Sequence, residues 1–105
     1  MSGITYLNKE NYNEITASGV VVVDFYAEWC GPCKMMSPVF EEAQAEYDGR
    51  AVIAKVNVDE NRDLAMQNKI MGVPTMIFFK GGEIVDRVTG VIDKEALYDK
   101  IDSLL

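Results

Sequence analysis

A chain of 105 residues lies near the commonest domain size, and with 49% apolar and 26% charged residues it can fill one hydrophobic core, which sets disorder aside. Seventeen acidic against ten basic residues leave a formal charge of -7, which repels a phosphate backbone and removes nucleic acid as a partner. There is no histidine, so the usual base of serine and cysteine hydrolases and the commonest metal ligand are both missing, and the chemistry falls to cysteine, carboxylate, lysine or tyrosine.

No linker-like stretch or internal repeat divides residues 1–105, so a single domain is expected. No apolar run approaches the roughly 20 residues that span a bilayer, and the opening Met1, Ser2, Gly3, Ile4, Thr5 lacks the basic-then-apolar layout of a signal peptide. A cytoplasmic protein without membrane contact is expected, working as a monomer.

In chain order, Asn8 is placed to cap an early helix through Tyr12 and Ile15. Residues 19–27 read Gly-Val-Val-Val-Val-Asp-Phe-Tyr-Ala, a continuous β-branched and aromatic run that predicts a central strand buried on both faces. Residues 32–47 then set Met36, Val39, Phe40, Ala43 and Tyr47 at three- and four-residue spacing, with Glu41, Glu42 and Glu46 between them. This predicts an amphipathic helix ending near Gly49, kinked at Pro38 where the ring removes an N–H and crowds the preceding turn.

A second apolar run, residues 51–58, predicts another strand, and Asp59 or Asn61 is placed to cap a short helix through Leu64, Ala65 and Met66. After Pro74, the runs Thr75–Lys80 and Glu83–Thr89 flank Gly81 and Gly82, which predicts an antiparallel hairpin. Asp93 caps a last helix whose apolar side is Leu97, Ile101 and Leu104. The order (β)αβαβαββα argues for parallel strands covered by helices on both faces, extended by the hairpin. The expected class is α/β: a three-layer α/β/α sandwich with a central mixed sheet and flanking helices.

The only cysteines are Cys30 and Cys33, in Trp29-Cys30-Gly31-Pro32-Cys33-Lys34, between a strand's end and a helix's start. Unpaired N–H groups and the positive dipole end at a helix N-terminus favour a thiolate, which is both nucleophile and leaving group in disulfide exchange. Cys30 is the better placed to attack; Cys33, about one turn on, faces less solvent while staying within bonding distance, and suits the resolving thiol. Against this stand two plainer readings: a pair of small buried apolar residues, and half of a zinc site, which lacks the further ligands zinc needs unless another molecule supplies them.

Asp24 interrupts the apolar strand, where an ionised carboxylate is costly to bury, so it has a partner, has a task, or faces water at an edge. Lys55 alternates with Ala54 and Val56 in the second strand, which also fits an ordinary lysine reaching out to solvent. Pro74 cannot donate to a ladder and marks a strand start or an irregular turn.

Residues 23–34, Val-Asp-Phe-Tyr-Ala-Glu-Trp-Cys-Gly-Pro-Cys-Lys, together with Gly72-Val73-Pro74-Thr75 and Phe79-Lys80-Gly81-Gly82-Glu83, closely resemble the thioredoxin family, through essentially the whole chain. A CxxC alone is a weak signal; with Trp before it, Pro inside it and a distant Val-Pro-Thr it is a specific one. The resemblance implies the thioredoxin fold and reduction of protein disulfides. Cys30 would attack, Cys33 would resolve the mixed disulfide, and the chain would be left with Cys30 bonded to Cys33. Asp24 would assist proton transfer to and from Cys33, with Lys55 close to it.

The same resemblance implies a cis Pro74 packed against the disulfide, with the Val73 backbone pairing to substrate as an added strand. Trp29, Gly31, Pro32, Gly72, Val73, Gly90 and Val91 match the family's docking surface around the exposed sulfur. No cofactor is implied beyond the redox-active cysteine pair, re-reduced by a thioredoxin reductase. Ribonucleotide reductase, peroxiredoxins and methionine sulfoxide reductase are the family's typical clients.

One departure is Tyr26, where many members carry a second tryptophan; this bears on fluorescence more than on catalysis. The nearest rivals are an oxidant or isomerase, which usually carries His between its cysteines where this chain has Pro32, and a redox-independent binding module.

Overall fold

The computed structural model describes residues 3–105, so Met1 and Ser2 of the N-terminal stretch lie outside the described residues. The elements follow as β1 (Thr5–Tyr6), α1 (Tyr12–Thr16), β2 (Val20–Tyr26), α2 (Gly31–Glu46), β3 (Val52–Asn57), α3 (Arg62–Gln67), β4 (Thr75–Lys80), β5 (Glu83–Thr89) and α4 (Lys94–Leu104). The five strands form one sheet in the order β1-β3-β2-β4-β5. β3 runs parallel to both β1 and β2, while β4 is antiparallel to β2 and to β5.

β2 is central, as its unbroken apolar run requires: Val21, Val22, Val23 and Phe25 are all 0% exposed. Fully burying each such side chain stabilises the fold by about 1.5–3 kcal/mol. Alternation of side chains along β2 sends them to two separate cores. Val20 and Val22 pack with Met36, Phe40, Ala43 and Tyr47 of the α2 segment and with Leu97 and Ile101 of α4. Val21, Val23 and Phe25 pack on the opposite face with Tyr12 of α1 and Leu64 of α3. The mixed sheet thus has helices on both sides, which is the expected three-layer sandwich.

Local chemistry departs from the predicted caps in two places. Asn8 does not cap a helix: its Oδ1 accepts from the N–H groups of Glu10 and Asn11, closing a turn that leads into α1 at Tyr12. Asn61 is the residue before α3 but makes no side-chain cap, because its amide donates to the Asn57 carbonyl. Asn57 supplies the turn instead, its Oδ1 accepting from the N–H groups of Asp59 and Glu60. A short polar side chain folding back on its own backbone serves a turn as readily as a helix start. Asp93 does cap α4, accepting from the Ala96 N–H at 2.8 Å. α2 runs through Pro38 without a break in the helix.

Candidate active site

β2 ends at Tyr26, and the chain turns through residues 27–30 into α2. Cys30 occupies the N-cap position with extended backbone, φ -88° and ψ 111°. Its Sγ accepts the Cys33 N–H at 3.2 Å, the bond that a Ser or Asp oxygen makes at an ordinary N-cap. Pro32 lies in the first turn, where a missing N–H costs nothing. Cys30 and Cys33 are joined by a disulfide, with 5.2 Å between their Cα atoms.

Contrary to the expected difference in solvent exposure, the two cysteines are covered almost equally, at 4% for Cys30 and 3% for Cys33. Ala27, Tyr26, Val58 and Val73 pack around both. What distinguishes Cys30 is its partners: the backbone N–H of Cys33 and, 3.6 Å from its Sγ, the carbonyl oxygen of Val73.

Val73 is held there by the loop before β4. The Val73–Pro74 bond is cis. The Thr75 hydroxyl, on a residue 1% exposed, donates to the Gly72 carbonyl at 2.6 Å. The Gly90 N–H donates to the Pro74 carbonyl at 2.9 Å, which brings Gly90 and the exposed Val91 beside this loop. Gly90 has φ +102°, a conformation that favours glycine. Pro74 itself is buried, while Gly31, Pro32 and Gly72 are exposed.

Trp29 is 71% exposed, yet its indole N–H donates to Asp59 Oδ2 at 2.9 Å, which fixes the ring against the end of the β3 segment. Beside it a shallow hollow of about 200 Å³ is lined by Trp29, Val58, Ala65, Ile70, Met71, Gly72 and Val73. Apolar side chains and open backbone therefore meet next to the disulfide.

Asp24 is 0% exposed, which removes the reading of an edge residue facing water. Neither of its oxygens has a hydrogen-bond partner among the described residues. Burial pushes its pKa up to about 7, against the opposing pull of the Lys55 charge. Lys55 is its register partner on β3, and it is 7% exposed, so it does not reach freely into solvent. Its ammonium donates to Ser37 Oγ at 3.1 Å and lies 4.7 Å from the centre of the Tyr26 ring.

The residues singled out from the sequence thus converge from four separate stretches of chain. Sequence reading assigned no role in the site to Ser37, to Asp59, read only as a possible cap, or to Thr75, read only as part of a motif, yet these hold Lys55, Trp29 and the Pro74 loop. Two of those contacts join residues 18 and 30 positions apart, so no local pattern announces them.

A family model described as Thioredoxin matches residues 3–103. A protein named Thioredoxin from Staphylococcus haemolyticus (strain JCSC1435) is 48% identical over 102 residues, covering 97% of this chain and 98% of that protein. A second, from Staphylococcus saprophyticus subsp. saprophyticus, is 47% identical over 102 residues with the same coverage of both. A solved structure of a mutant thioredoxin from Halobacterium salinarum NRC-1 superposes with a TM-score of 0.91 at 41% identity, covering 97% of this chain and 90% of that chain.

Proposed function

This chain belongs to the thioredoxin family and is a dithiol-disulfide oxidoreductase, and we propose that within that activity Cys30 is the attacking thiol and Cys33 the resolving one. The observation that carries this assignment is the Cys33 N–H donated to Cys30 Sγ at the start of α2. In the reduced protein the same donor and the helix N-terminus favour a thiolate on Cys30.

The Cys30 thiolate attacks one sulfur of a client disulfide, and the other client sulfur leaves as a thiolate. Cys33 then gives its proton to the Asp24 carboxylate and attacks Cys30 Sγ, releasing the second client sulfur. The client gains two electrons, and the chain is left with the Cys30–Cys33 bond. Asp24 is the proton acceptor because it is buried on the sheet face covered by α2, the helix that carries Cys33, with a proton affinity near neutral pH. Lys55 supplies the positive charge that keeps that affinity from rising further.

Clients dock on Trp29, Gly31, Pro32, Gly72, Val73, Gly90 and Val91, their extended backbone pairing with Val73 beside Pro74. Support comes from the exposure of Trp29 and Val91 and from the apolar hollow beside the disulfide. The chain acts as one domain and one copy in the cytoplasm, with a thioredoxin reductase returning the two electrons. Ribonucleotide reductase, peroxiredoxins and methionine sulfoxide reductase are the clients to examine first.

Replacing the resolving thiol tests the division of labour. Cys33→Ser exposed to a lysate should accumulate mixed disulfides through Cys30, seen as adducts on non-reducing gels and collapsed by dithiothreitol. Adducts that form on Cys30→Ser and not on Cys33→Ser would reverse the roles, equal adducts on both would abolish the division, and none on either variant would remove the exchange mechanism.

A further inference from the structure

Ser37 lies one helical turn beyond Cys33 on α2 and links two parts of the site that the chain places far apart. A hydroxyl has one donor and two acceptor positions. In Ser37 the donor is directed at the Cys33 carbonyl, 3.4 Å away, and an acceptor position takes the Lys55 ammonium at 3.1 Å. Lys55 is thereby tied to the turn that carries the resolving cysteine.

The tie matters because of what Lys55 does not do. Asp24 and Lys55 are register partners on neighbouring parallel strands, so their side chains leave the same face of the sheet, the face covered by α2. The nearest cation to a buried carboxylate would ordinarily bond to it directly. Here both Asp24 oxygens are without a hydrogen bond among the described residues, while the Lys55 ammonium is engaged by Ser37 Oγ and lies over the Tyr26 ring.

We propose that Ser37 is a positioning residue that holds the Lys55 ammonium against α2 and off the Asp24 carboxylate, so that Asp24 stays able to take up and return the Cys33 proton. A direct Lys55–Asp24 ion pair would fix the carboxylate in its charged form and weaken it as a base. The inference rests on the reading of Asp24 as the acceptor of that proton.

The surroundings leave Lys55 as the group that decides. A cleft of about 210 Å³ opens onto Lys55, Ser37 and Cys33, and its other titratable or charged side chains are Tyr6 from β1, Tyr26 from β2, Glu28 just after it, and Lys34 and Glu41 from α2. On the remaining side, β4 sets opposite Asp24 the non-titrating Met76.

The test follows the carboxyl carbon of Asp24 by NMR in the reduced protein across the neutral pH range. In Ser37→Ala the ammonium loses its acceptor, the bare Asp24 oxygens replace it, and the Asp24 midpoint should fall by about one pH unit or more. Ser37→Thr, which keeps a hydroxyl, should titrate with the unmodified chain. In a Lys55→Gln background the same Ser37→Ala change should move nothing.

An unmoved midpoint in Ser37→Ala overturns the assignment, and so does a rise, which would mean that the ammonium had swung to solvent. The pH dependence of resolution in Asp24→Asn separates a failure of Ser37 from a failure of Asp24. A flattened profile with an unmoved Ser37→Ala midpoint removes Ser37 alone; an unaltered profile removes Asp24 and Ser37 together.

Discussion

Asp24 is a costly residue to bury. Its carboxyl lies wholly out of solvent between Val23 and Phe25, and its pKa is raised to about 7 from an ordinary 3.8. The folded chain therefore holds a proton that the unfolded chain gives up at lower pH. Through this one group, stability is greatest below about pH 4, falls as pH rises through the interval to about 7, and is level above it. At one pKa unit per 1.36 kcal/mol the loss approaches roughly 4 kcal/mol. Asp24→Asn should abolish that slope and leave a protein that is more stable than the unmodified chain above pH 7, read by urea unfolding at several pH values. A slope unchanged in the variant would place the titration elsewhere. Asp24 announces itself in the sequence as a charge inside an apolar run, whereas the partner of its neighbour does not. Ser37 reads as one more polar residue on a helix, and only the fold reveals that it faces Lys55.

Elements are set by patterns a few residues long, which is why their order is legible and their ends less so. The apolar run of residues 19–27 becomes β2 over Val20–Tyr26, and the periodic stretch of 32–47 becomes α2 over Gly31–Glu46. The caps at Asn8 and Asn61 go differently because a side-chain oxygen bonds whichever backbone N–H the turn presents, and turn geometry is not written in residue type. The β4–β5 hairpin offers a sharper test. Gly81 and Gly82 both have positive φ, 59° and 86°. A Cβ on Gly81 would meet nothing within 4 Å, whereas one on Gly82 would come 2.9 Å from the Ala17 carbonyl oxygen. Gly82→Ala should therefore destabilise the chain by about 2–3 kcal/mol, and Gly81→Ala by about 1 kcal/mol, in paired thermal melts. Equal losses would mean that the approach to Ala17 relaxes without cost.

At the scale of the whole molecule, the site exists because the strand order differs from the chain order. The sequence predicts parallel strands and a hairpin, but the arrangement β1-β3-β2-β4-β5 depends on which edges meet, and no single segment encodes it. That arrangement sets the end of β2, the start of α2 and the loop before β4 side by side, so that Val73 reaches Cys30 from 43 positions away. The motif around Cys30 and Cys33 was legible from spacing and residue type. The Asp59 clasp on Trp29 and the Thr75 bond to Gly72 are properties of the folded chain. Thioredoxin itself has a low reduction potential, about -270 mV. On this mechanism Cys30 and Cys33 form a reversible two-electron couple that works as a reductant. Equilibrating the protein in dithiol redox buffers and following its free thiols tests this directly. One reversible two-electron transition near the thioredoxin value is expected; a midpoint as high as the about -180 mV of a disulfide isomerase, or no reversible transition at all, would rule out a reductant.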